Sequence, residues 1–131
     1  MGAKKIALLA PYVCSLTDLV VKYIENEGIE VLDAVSFEIA DNLDVGRRDP
    51  ALLVEDVKRL KTANADVVVL SACVQMQSLP SIQLVEDRIG IPVTSTAICT
   101  TRRMLDHLDL EATVPNAGAV LSGRYPSRQA A

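Results

Sequence analysis

Four short apolar runs, each followed by a stretch of helical periodicity, constrain this chain more than any other feature. They are "KIALLA" at 5–10, "IEVLDAV" at 29–35, "DVVVLS" at 66–71 and "IPVTS" at 91–95. A strand buried on both faces reads as a continuous apolar run. Strand–helix alternation points to a parallel sheet covered by helices on both sides. Helices are expected over residues 16–27, from 50 to about 62, from 79 to 89, and from about 97 to 108. Ser15 and Asp18 are spaced as a variant capping box for the first, and Gly28 is a natural stop. Its inward stripe is expected to be Leu16, Leu19, Val20, Tyr23 and Ile24. Asp49-Pro50 is an N-cap followed by proline at the first helical position, with Leu53, Val57 and Leu60 facing inward. Ser78 is expected to cap the third helix and Gly90 to end it. Between the second strand and second helix, "FEIADNLDVGRRDP" is too polar for core and too long for a minimal turn. The apolar piece at 117–121 in the tail is expected to lie against the sheet.

These elements predict a three-layer, flavodoxin-like α/β fold with a four-stranded parallel sheet in the order 2-1-3-4. The 131 residues suit one domain spanning 1–131, without repeats or linkers. With one Phe and no Trp among 50% hydrophobic residues, the core must be aliphatic. A formal net charge of -4 argues against nucleic-acid or anionic-membrane partners, which call for basic surface. No apolar run reaches the roughly 18 residues of a membrane span. The start "MGAKKIALLA" is too short in its apolar part for a signal peptide. The three cysteines fit neither a zinc motif nor CxxC, so no metal and free thiols in a reducing cytoplasm are expected.

In sheets of this kind ligands bind beyond the carboxyl ends of the strands. The segments leaving those ends are "APYVCSLT", "FEIADNLDVGRRD", "SACVQMQS" and "STAICTT". None has the glycine fingerprint of a dinucleotide site or a Walker A loop, so no cofactor is expected. All three cysteines fall on this edge. Cys73 is the sharpest candidate, because it leaves the central strand and is followed by the backbone N–H groups of Val74, Gln75 and Met76. Such amides favour a thiolate or hold a carboxylate. The plainer alternative is a small buried thiol at a strand end. Tyr12 follows the first strand and is either a hydroxyl at the same rim or an amphipathic boundary residue. Asn42 reads as a ligand or a turn residue. Arg47 and Arg48 suit a carboxylate but more often form a solvated pair. Cys14 and Cys99 read first as packing residues. His107, late in a helix, reads as a charge placed at the favourable end of the dipole.

A resemblance enters with three stretches: "APYVCSLTDLVVKYIENEGIEV", "DNLDVGR" and "ADVVVLSACVQMQSLPSIQLVEDRIGIPVTST". Together they resemble the aspartate/glutamate racemase superfamily, in its branch of maleate cis-trans isomerases and arylmalonate decarboxylases. The match is to the C-terminal half of those two-domain proteins, whose active site lies between the domains. The resemblance implies that Cys73 is a catalytic cysteine. Tyr12 and Asn42 would bind a substrate carboxylate, and the Val74 and Gln75 amides would cradle it. It implies a cofactor-independent isomerase or racemase for a small carboxylic or dicarboxylic acid, in a homodimer or with a partner domain closing the site. Two alternatives stand beside it. One is a non-catalytic or split half-domain. The other is a decarboxylase or an ectoine-utilisation-type relative, whose pattern "ACVQMQSLP" and "TAICTT" also resemble, with Ala97 and Ile98 where isomerases usually carry Asn-Gln. A receiver or flavin module is disfavoured: the ends of strands 1 and 3 lack clustered aspartates, and aromatic residues are few.

Overall fold

The computed structural model describes residues 1–125. Four strands, β1 (Lys5–Ala10), β2 (Glu30–Ser36), β3 (Val67–Ser71) and β4 (Val93–Ser95), form a parallel sheet in the order β2-β1-β3-β4. The helices are α1 (Cys14–Asn26), α2 (Asn42–Arg47), α3 (Leu53–Asp56), α4 (Leu79–Ile89) and α5 (Thr96–His107). Side chains alternate across the strands, so each sheet face builds its own core. On one face Ala7, Leu9, Val68, Leu70 and Val93 pack with Leu53 and Val57, with Ile82 and Val85 of α4, and with Val120 and Leu121 of the tail. On the other, Ile6, Leu8, Ala10 and Val67 are covered by Val21 and Ile24 of α1. The strand order and two-sided helical cover match the expectation, and so does the burial of residues 117–121.

Several local expectations are corrected. Ser15 and Asp18 do not cap α1, whose N-cap is Val13 without a side-chain bond. The first-turn N–H of Cys14 instead donates to Glu38 Oε1 at 3.1 Å, a cap supplied from beyond β2. The inward face of α1 is Thr17, Val21 and Ile24, while Leu16, Leu19 and Tyr23 are exposed. Apolar residues cover more than half of this helix's circumference, so spacing alone does not choose the buried side. A hydrogen bond from Ser36 Oγ to Thr17 Oγ1, 2.6 Å long, turns Thr17 toward the sheet.

The polar segment after β2 is not all loop. Asp41 accepts from the Leu43 N–H, α2 follows, and Val45 is buried beneath it. The helix expected to run to residue 62 is a broken one. α3 has a single α-turn between 3₁₀ turns at Pro50–Leu52 and Val57–Arg59, and the backbone is extended at Leu60. Its Asp49 cap is real, accepting from the Ala51 N–H at 2.9 Å, and Leu53, Val57 and Leu60 are buried as expected. Ser78 makes no side-chain cap for α4; it is buried and its carbonyl accepts from the Ser81 N–H. Gly90 ends that helix in the left-handed region.

Candidate active site at the carboxyl edge of the sheet

The site forms where β1, β2 and β3 end together. Backbone bonds knit the segments: Phe37 N–H to Ala10 O at 2.9 Å, Glu38 N–H to Tyr12 O at 3.1 Å, Ile39 N–H to Pro11 O at 2.9 Å, and Ala72 N–H to Leu9 O at 3.0 Å. The Tyr12 hydroxyl, on the β1 segment, therefore crosses to β3. It donates to the Ala72 carbonyl at 3.2 Å and lies close enough to the Cys73 sulfur for the sulfur to act on its ionisation. Burial pushes the phenol up to about 12, and the sulfur beside it adds to the shift through its hydrogen bond and its charge. A phenol so disposed stays protonated at neutral pH and donates to whatever negative charge forms next to it.

Cys73 lies at the rim but is not freely open. It is 8% exposed and shares the core cluster with Met76. The two residues after it project outward: Val74 is 65% exposed and Gln75 is also exposed. Among the described residues, no acceptor takes the N–H of Val74 or Gln75. Met76, 2% exposed, then anchors the turn back into the core. The strand-end thiol, the hydroxyl over it and two open amides are thus brought together. Asn42 is exposed at the first position of α2, and no side-chain bond ties it to Tyr12 or Cys73.

The other candidates separate. Cys14 and Cys99 are exposed, so packing is not their role. The Glu38 carboxylate, accepting from the Cys14 thiol, holds that thiol's pKa above its ordinary value, with Ser36 acting in the opposite sense. Glu38 is itself held lower by the thiol and by the Cys14 N–H. Cys99 shares a 3.3 Å hydrogen bond with Thr94. Arg47 is exposed beside Asp44, but Arg48 is not the solvated residue expected. Its guanidinium pairs with Asp56 and lies 4.3 Å from the centroid of the Phe37 ring, with only 15% of the side chain exposed. The aromatic face and carboxylate pull it inward. His107 is the last residue of α5.

Spacing missed two contributors. Glu38 is the remote cap of α1, and nothing local announces it. Ser71 is fully buried and bonds the Cys73 backbone on both sides; its signal is a serine two residues before the cysteine in "LSAC".

Compared with protein families, residues 1–121 match the arylmalonate decarboxylase model. The chain belongs to the arylmalonate decarboxylase family. Within it, the maleate isomerase of Geobacillus stearothermophilus is 58% identical over 125 residues, covering 95% of this chain and 50% of that protein. The crystal structure of a cysteine-to-alanine maleate isomerase from Pseudomonas putida S16 with maleate superposes with a TM-score of 0.92 at 48% identity. It covers 95% of this chain and 50% of that one. A Nocardia farcinica maleate cis-trans isomerase mutant with a covalently bound succinylcysteine intermediate gives 0.90 at 36% identity, over 94% of this chain and 50% of the other. The chain spans about half the length of the curated relatives it matches.

Proposed function

We propose that this chain carries one side of a cofactor-independent, cysteine-dependent cis-trans isomerase site for a small dicarboxylate of the maleate type. The observation that carries it is the strand-end Cys73 beneath the Tyr12 hydroxyl, with the Val74 and Gln75 amides open in front. The maleate isomerases among the relatives, one of them with a succinylcysteine intermediate, support this chemistry over decarboxylation.

In this reading the substrate carboxylate sits against the two amides, with Asn42 and Tyr12 as further donors. The Cys73 thiolate adds to one alkene carbon. The π pair moves to the neighbouring carbon, where the attached carboxylate delocalises it or a proton takes it up. What was a double bond is now single, and it rotates. Elimination returns the pair, with loss of the proton to its donor where one was taken up, re-forms the alkene in the trans geometry and releases the thiolate. The single Tyr12 proton turns from the Ala72 carbonyl to the sulfur anion at either end of the cycle, and to the substrate carboxylate while the sulfur is bonded to carbon. A partner, either a second domain or another copy of the chain, closes the open side of the substrate and supplies any second proton carrier.

The test is conversion of maleate to fumarate by the chain in its solution assembly, together with protection of Cys73 from iodoacetamide by maleate. Cys73→Ser is expected to abolish turnover. Full turnover by that variant, or alkylation of Cys73 indifferent to maleate, overturns the proposal.

A further inference from the structure

Ser71 closes β3, and its side chain is wholly buried. Its hydroxyl makes a small clamp on the turn that follows. It donates to the Cys73 carbonyl at 2.6 Å and accepts from the Cys73 N–H at 3.3 Å, with the Met76 carbonyl also 3.3 Å away. The Ser71 carbonyl is in turn held by Thr96 Oγ1 at 3.3 Å, from the first residue of α5. The clamp is therefore braced on the neighbouring strand–helix junction.

A trans peptide unit points its C=O and the next N–H in opposite directions. Holding the Cys73 carbonyl inward on the Ser71 hydroxyl therefore turns the Val74 N–H outward. Among the described residues that N–H has no acceptor, and Val74 and Gln75 stand exposed around it. Without the clamp, the Cys73–Val74 peptide is free to flip, because its carbonyl loses its buried partner and can seek water.

We propose that Ser71 is a positioning residue that fixes the Cys73–Val74 peptide so that its amide faces the substrate carboxylate. This rests on the carboxylate-cradle reading above and adds the group that sets the cradle's orientation.

The test compares two alkylating reagents at Cys73, followed by mass spectrometry of its peptide so that the exposed Cys14 and Cys99 do not interfere. Iodoacetate carries a carboxylate that the cradle can hold, whereas iodoacetamide does not. In the native chain the iodoacetate-to-iodoacetamide rate ratio at Cys73 is expected to exceed that of glutathione. In Ser71→Ala the ratio is expected to fall about tenfold, the size of one charge-assisted hydrogen bond. Ser71→Thr, which keeps the hydroxyl, is expected to retain the preference. Should Ser71→Ala not fold, Ser71→Cys, read from fragment ions that separate position 73 from position 71, weakens the hydrogen bond and is expected to lower the same ratio. A folded Ser71→Ala or Ser71→Cys with the native ratio overturns the role of Ser71 and leaves the cradle standing. A native ratio no higher than that of glutathione overturns both.

Discussion

Tyr12 illustrates how one side chain acquires its chemistry from neighbours distant in sequence. Its phenol is pushed up to about 12 by burial first and by Cys73 second. Below pH 10 it is protonated in both the folded and the unfolded chain, and its contribution to stability is intact. Between pH 10 and about 12 the unfolded chain releases the proton while the folded one keeps it. Stability is therefore expected to fall through that window as pH rises. Ultraviolet titration should show one phenol ionising near 12, and Tyr12→Phe should remove that step along with its share of the alkaline loss. A native titration without it would contradict the packing of Tyr12 over the thiol. The sequence suggested that this hydroxyl sits at the rim, since it follows a strand end. Its partnership with a residue 61 positions away depends on β1 and β3 lying side by side.

Helix ends show which features are legible locally. The Asp49 cap is readable because donor and acceptor are two residues apart. The cap of α1 is not, because Glu38 reaches it from the end of another strand. Ser78 offered the same signal as Asp49, yet it is buried and leaves its capping role unused. The tail makes the contrast sharper. Glu86 on α4 accepts from the backbone N–H of both Val93 and Ala119 at 3.0 Å, fastening tail and β4 to one carboxylate. Gly118, at φ +74°, passes so close that an added Cβ would lie 2.7 Å from Ile82 Cγ2 and 3.1 Å from the Val93 carbonyl. Gly118→Ala combines left-handed strain with overpacking. It is expected to cost about 1–3 kcal/mol, measured by urea denaturation. An unchanged midpoint would mean that the tail does not hold this approach in solution.

The assembled chain leaves apolar surface that no described element covers. Leu16, Leu19 and Tyr23 form an outward stripe on α1, opposite the face that packs on the sheet. A helix apolar on two sides suits a molecule with a further partner. This agrees with the proposal that a second domain or chain closes the site. Analytical ultracentrifugation of active material is expected to give a mass above the 14.1 kDa of one chain. A fully active species at 14.1 kDa would remove the need for a partner. The apolar runs and their alternation with helical stretches were enough to specify the sheet, its order and the edge carrying the thiol. Burial of aliphatic surface and strand chirality follow from local pattern. The buried side of α1, the remote cap from Glu38 and the inward turn of Arg48 could not be read that way. Each depends on a hydrogen bond or packing contact between separate elements, and such contacts exist only once those elements have come together.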